Sequence, residues 1–249
     1  MVTIKVALIL IRIMKNLIYF ISNKKYKDVL QYNIENINRL HNDIDICCIA
    51  DKDLNFDSNE TKPNFVYYID NFDYRYTAKY IIFEWEKSNQ YDNFLYLDTD
   101  SVVTKNILEI FSIIENNKNI IHGTKEGEYL NTTGSYHKFT DKVYEHNPPF
   151  YNAGIFGFNK MLLSTFPDFI TYINTNKNSA FIDQALFNEY FAGEKNLLQN
   201  TLEPFVHLFT QNKTTRDLFK NAHIIHFLGG MYDGKSVNCI KEIFAAHEN

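Results

Sequence analysis

Cysteine is scarce, with only Cys47, Cys48 and Cys239 in 249 residues. They form neither a zinc-ligand spacing nor an even-numbered disulfide framework, which predicts structural thiols in a reducing, cytoplasmic compartment. A basic excess is also missing. The 25 Lys and Arg stand against 30 Asp and Glu, a net charge of -5, so the electrostatic basis for non-specific nucleic-acid binding is lacking. Nine glycines and five prolines form no Gly/Ser-rich or Pro-rich linker, no collagen-like repeat and no element of fixed period. Long apolar runs are absent too. The opening MVTIKVALILIRIMK is interrupted by Arg12 and falls short of the roughly 18 apolar residues that a membrane span needs. No small-residue cleavage site follows it, so neither a signal peptide nor a transmembrane segment is expected.

What is present suits a compact body: 45% of residues are hydrophobic and 22% charged. The length allows one large domain or two small ones at about 150 residues each. With no linker, the simplest organisation is one domain over residues 14–249. MKNLIYFISNKKY reads as its natural opening, which makes residues 1–13 an upstream extension.

Apolar and aromatic runs alternate with segments of helical spacing. Leu17 to Ile21 predicts a strand, followed by the polar SNKKYKD and then a helix carrying Val29, Tyr32, Asn33, Ile34, Ile37 and Leu40. Ile44 to Ala50 and Phe65 to Ile69 read as strands, Tyr74 to Ser88 as a helix, and Phe94 to Leu97 as a buried strand. Ile107 to Ile114 predicts a helix and Asn119 to His122 a further strand. This alternation argues for an α/β fold with a mostly parallel sheet and helices on both faces. GTKEGEYLNTTGSYHKFTDKVYEHNPP then exceeds the usual length of a connection, as a functional loop or a plain surface insertion would. After it come the strand YNAGIFGF, the helix MLLSTFPDFITYI, the amphipathic helix FIDQALFNEYF and a last strand, HIIHF.

Four segments carry chemistry. FLYL leads into Asp98-Thr99-Asp100 and places two carboxylates at the carboxyl end of a strand, where open α/β sheets collect ligands. Period-two alternation points both the same way, and two hard oxygen donors suit Mg²⁺ or Mn²⁺ bridging to phosphate. A solvated acidic turn is the plainer alternative. In HIIHFLGG, His226 ends an apolar run just before Gly229 and Gly230, either as a metal ligand or as a hydrogen-bonded core histidine, while His223 reads as structural. Asn152-Ala153-Gly154 combines an amide with small residues that admit a sugar or phosphate to the backbone. Asp183-Gln184 sets a carboxylate beside an amide at a helix start, where Asp183 serves a reaction centre or simply caps the helix.

In this order, FLYLDTDSVV, YNAGIFGF, IDQALFNEYF and IIHFLGG resemble the retaining glycosyltransferases of family 8, over a span from about Leu17 to Lys235. The resemblance implies a GT-A fold, a single Rossmann-like nucleotide-binding domain with a mixed, mostly parallel sheet. It also implies a nucleotide-sugar donor, usually a UDP-sugar, and a divalent ion, usually Mn²⁺, on Asp98, Asp100 and His226. Thr99, between the carboxylates, falls in the same donor-binding turn. Ser22, Asn23 and Tyr26 match the loop around the nucleoside, and Lys79 stands where a basic residue, commonly Arg, contacts the donor. Asn152, Asp183 and Gln184 match sugar-binding and reaction-centre positions, with Ala153, Gly154 and Gly229 close to the donor. The family's Lys-Pro-Trp is missing. Tyr232 takes the lysine position, leaving Lys235 as the candidate to reach the diphosphate.

The expected activity is therefore metal-dependent transfer of a sugar from a UDP-hexose to a hydroxyl of a carbohydrate or protein, with retention of configuration. An inverting GT-A enzyme and a non-catalytic nucleotide-sugar-binding domain are the alternatives. A nucleotidyltransferase is disfavoured because SNKKY, not a Gly-rich basic loop, follows the first strand.

Overall fold

The computed structural model describes residues 14–70, 77–128, 149–176, 182–209, 216–227 and 237–248. Residues 1–13, most of the long polar stretch, Gly229, Tyr232 and Lys235 lie outside them.

Seven strands form the main sheet: β1 (Asn16–Ser22), β2 (Asp45–Asp51), β3 (Phe65–Ile69), β4 (Asn93–Leu97), β6 (Ile121–Glu128), β7 (Pro149–Asn159) and β8 (Leu198–Asn200). Their order is β3-β2-β1-β4-β7-β6-β8, parallel from β3 to β4 and again between β6 and β8, with β7 antiparallel to both its neighbours. A second sheet has β10 (Ile224–Phe227) between β5 (Ser101–Val103) and β9 (Val206–Phe209). The helices are α1 (Lys27–Leu40), α2 (Leu108–Asn116), α3 (Phe166–Thr175), α4 (Ile182–Phe187), α5 (Arg216–Asn221) and α6 (Val237–Glu248). Among the described residues no helix is long and apolar enough to cross a membrane.

The central strands are apolar throughout because both faces are covered. On one face Leu17, Tyr19, Phe94, Tyr96, Phe156 and Phe158 join Tyr80, Phe166, Phe169 and Phe187 in a core dominated by aromatic rings. Phe94 and Phe158 stack at 4.9 Å across the β4–β7 pair. On the other face Ile18, Phe20, Leu95, Leu97 and Ile155 pack under α1 and α2. Gly157 lies under α2, and a Cβ there would stand 2.5 Å from Ile114 Cδ1.

Several elements depart from the periodicity reading. The helix expected over Tyr74 to Ser88 is, in its described part, a pair of 3-10 segments, Ala78–Glu84 and Ser88–Gln90. Trp85 between them is extended, which lets its ring meet Phe65 and stack on Tyr91. The helix after β7 begins as a 3-10 segment, Lys160–Thr165, and turns α from Phe166, with Pro167 in the first turn where its missing N–H is harmless. FIDQALFNEYF changes from α to π at Asn188, whose side chain bonds both the N–H and the carbonyl of Tyr151. β6 continues to Glu128 into what reads as loop, and the three-residue strands β5 and β8 are too short for a periodic signal.

His122 on β6 is fully buried, donating from Nε2 to the Asn117 carbonyl at 3.1 Å and accepting at Nδ1 from the Thr201 hydroxyl at 2.8 Å. Burial pushes its pKa down to about 4. The unfolded chain takes up that proton near pH 6.5, so the stability this residue contributes is complete above that pH and is lost as pH falls towards 4. The whole contribution is about 3 kcal/mol. The urea midpoint of the wild type should therefore fall more steeply between pH 6.5 and 4.5 than that of His122→Gln; equal slopes would refute the assignment.

Candidate active site

β4 runs parallel to β1, so Asp98 emerges at the same sheet edge as Ser22. β7 runs the opposite way, so its early residues, Asn152 to Gly154, meet the end of β4, and Asp98 N–H donates to the Gly154 carbonyl at 2.7 Å. The chain then turns tightly, with Ser101 N–H bonded to the Asp98 carbonyl at 2.9 Å, and enters the second sheet as β5. Asn33, buried on α1, donates to the Thr99 carbonyl at 2.8 Å and ties the turn to the helix below. β5 pairs with β10 at Ser101–His226, which brings the imidazole over both carboxylates.

His226 Nε2 lies 3.1 Å from Asp100 Oδ1 and 3.8 Å from Asp98 Oδ2, and one ligand atom from each of the three residues lies within 4.8 Å of the others. Burial pushes the His226 pKa below its usual value, and Asp98 and Glu126 offset this only in part. An imidazole beside two carboxylates is a donor set suited to Mn²⁺ or Mg²⁺. The Tyr96 hydroxyl donates to Asp98 Oδ1, and burial raises the phenol pKa far enough to keep it a donor. Gly154 is required here, because a Cβ would stand 2.5 Å from Asp98 Oδ2 and closer still to His226 Cε1.

Behind the cluster, Lys79 is almost completely buried, with Nζ 2.8 Å from Asp183 Oδ2, 3.1 Å from the Ala153 carbonyl and 5.4 Å from the centre of the Tyr96 ring. Burial works to lower its pKa, yet Asp183 and Asp98 outweigh that and hold it above the ordinary lysine value. Asp183 sits in the first turn of α4 and its carboxylate is engaged with this ammonium. Gln184 Oε1 accepts from Ala153 N–H at 3.0 Å, and Asn152 Oδ1 accepts from Gly154 N–H at 2.8 Å. Both side-chain amides donate to Glu126 Oε2 at 3.0 Å. Asp98, Asp100, Asp183 and Glu126 thus gather around His226 and Lys79, an acidic group whose charge a divalent cation would help to offset.

Asp98, Thr99, Asp100, Asn152, Ala153, Gly154, Asp183, Gln184, Lys79 and His226 therefore converge on one place. Ser22, Asn23 and Tyr26 stand on the same edge, Asn23 with its side chain capping the short 3-10 turn Lys24–Tyr26. His223 contacts the Asn106 carbonyl, away from the cluster. Cys47 and Cys48 are buried in β2, and burial pushes the Cys47 thiol up to about 12. Asn33 and Glu126 carry no motif, and Tyr96 and Asn188 lie inside FLYLDTDSVV and IDQALFNEYF without a spacing that marks them. Glu126 lies inside the polar stretch with nothing to single it out.

A sheet of this order with its acidic cluster at the β4 edge is the GT-A architecture of glycosyltransferases. Among solved structures, an active-site mutant of LgtC superimposes with a TM-score of 0.63 at 15% identity, covering 93% of this chain and 95% of that one. GlyE of Streptococcus pneumoniae, without ligand, gives 0.62 at 15% identity over 94% of this chain and 60% of its own. The bifunctional glycosyltransferase WbbM gives 0.61 at 15% identity, covering 87% of this chain and 46% of that one, so the chain spans under half the length of WbbM. LgtC has also been solved in complex with donor and acceptor sugar analogues. No curated protein sequence matches. The family model of glycosyl transferase family 8 matches residues 9–231, and the chain belongs to that family. It is a glycosyltransferase.

Proposed function

We propose that the protein transfers a hexose from a UDP-sugar to a hydroxyl acceptor, a carbohydrate or a protein side chain, with retention and with a divalent metal ion. The observation that carries this is the Asp98–Asp100–His226 cluster at the carboxyl edge of β4 in a family 8 chain. Asp98, Asp100 and His226 hold the ion. When bound, Mn²⁺ or Mg²⁺ supplies Lewis-acid stabilisation of charge on a departing diphosphate. Ser22, Asn23 and Tyr26 flank the nucleoside, and Ala153 and Gly154 let the donor approach the backbone closely. Asp183 stands beside the reacting carbon and stabilises positive charge there without attachment, with Lys79 holding its carboxylate in place. Asn152 and Gln184 each keep an amide N–H and an oxygen lone pair for sugar hydroxyls.

The test is a panel of nucleotide sugars with Mn²⁺, Mg²⁺ or EDTA, read as released nucleoside diphosphate, then product anomer analysis once an acceptor is found. Metal-dependent release from one UDP-sugar is expected. Tight UDP binding with no release and no transfer to any acceptor would instead favour a binding domain.

A further inference from the structure

β6 and β7 fall out of step beside the site. Gly123 pairs with Phe156 but Lys125 pairs with Tyr151, and Gly127 already faces Phe150. Two consequences follow from this register. Ala153 lies where β7 has no partner in β6 and its N–H is taken by Gln184 Oε1, while Gly154, whose carbonyl is bonded by Asp98 N–H on the β4 side, has its own N–H taken by Asn152 Oδ1. Glu126 is the residue left over on β6 between two paired ones, and such bulges re-aim a side chain. Its Oε2 receives Asn152 Nδ2 and Gln184 Nε2, both at 3.0 Å.

We infer that Glu126 is a positioning residue that anchors the amides of Asn152 and Gln184, so that their remaining N–H and lone pair face the sugar in one fixed orientation. Each amide has one anchor on β7 and one on Glu126. With both in place neither amide rotates, and flipping either would set N–H against N–H and oxygen against carboxylate. Without Glu126, each amide hangs on a single hydrogen bond and swings about it. Asn188 braces the same assembly from behind, donating to the Gln184 and Tyr151 carbonyls at 2.9 and 2.8 Å. The inference deepens the function proposed above and rests on its reading of Asn152 and Gln184 as the sugar-facing amides.

Two measurements separate its failure from failure of that reading. The first needs no substrate: side-chain amide NMR signals of the full chain, assigned to Asn152 and Gln184 through Asn152→Asp and Gln184→Glu. Both should be protected in the wild type, exchange like free amides in Glu126→Ala, and stay protected in Glu126→Gln, whose amide oxygen still accepts two hydrogen bonds. The second uses the metal-dependent donor reaction. Glu126→Ala should lower kcat by about 10–100-fold, the range for a partner that orients a ligating group, with little change in donor KM. Glu126→Gln should recover most of that loss, and in a Gln184→Ala background the Glu126→Ala change should cost clearly less than in the wild type, because only Asn152 is then left for Glu126 to hold and contacting residues are not additive. Unmoved amide signals in Glu126→Ala, or Glu126→Gln as damaging as Glu126→Ala, or full additivity with Gln184→Ala, would overturn the inference. If no donor is turned over, the amide signals alone decide it.

Discussion

Lys79→Met should destabilise the fold by about 3 kcal/mol, because removing one partner of a buried ion pair strands the other charge in a place that solvates it poorly. The ammonium is 2.8 Å from Asp183, whose side chain is 23% exposed; water can therefore relieve part of the penalty, which places the effect at the lower end of the usual range. For a chain of this size the melting temperature should drop by roughly 6–12 °C. Adding Asp183→Asn should restore part of the loss, since the two residues share one interaction and their changes cannot add. Turnover should fall at least about 100-fold in Lys79→Met, the scale seen when a preorganised charge is lost from a reaction centre. Urea unfolding of the two single variants and the double variant measures the coupling. A coupling energy near zero would show that the pair stabilises nothing.

The second large effect is at Gly154. In Gly154→Ala the new methyl group must displace the Asp98 carboxylate or the His226 ring, both of which crowd the position it would take. The strand is anchored by its pairing with β4 and by Phe156 and Phe158 in the core, so the protein should still fold, with a loss of about 1–3 kcal/mol from overpacking. Affinity for Mn²⁺, titrated by the loss of free-ion signal in electron paramagnetic resonance, should fall at least about 10-fold. The control is Gly157→Ala on the same strand, where the obstacle is the end of the Ile114 side chain rather than the acidic cluster. It should lose stability and keep its metal affinity. Equal metal affinity in Gly154→Ala and the wild type would remove the geometric basis of the proposed site.

Much of this geometry is legible in the chain because the central strands are buried on both faces. Phe94 to Leu97 must be a core strand, so Asp98 has to mark its exit. Strand alternation, by contrast, is not what sets Asp98 beside Asp100: the strand ends at Leu97 and a tight turn, closed by Ser101 N–H on the Asp98 carbonyl, carries both carboxylates, while the place of His226 follows from the apolar run before it. What cannot be read is whatever depends on pairing between distant segments. The second sheet is built from strands of three or four residues, and its register, Ser101 against His226, is what turns three scattered residues into a cluster. Glu126 is invisible for the same reason, since its role comes from a slip between β6 and β7 that no periodicity encodes. The π turn at Asn188 looks like ordinary helix in sequence, because only contact with Tyr151 makes the wider turn worthwhile.

The way β7 is held has a consequence for how chains of this design diverge. Its later half is pinned to β4 residue by residue, from Leu97↔Ile155 to Asn93↔Asn159. Insertions or deletions between Glu128 and Pro149 fall outside those pairings, so lineages are free to lengthen or shorten the chain there while Asn152 and Gly154 keep their places. A single deletion among Ile155 to Phe158 has no such freedom. It would exchange the two faces of the strand, turning Phe156 and Phe158 out of the aromatic core. Variation in length should therefore gather on one side of Pro149 and stop abruptly on the other.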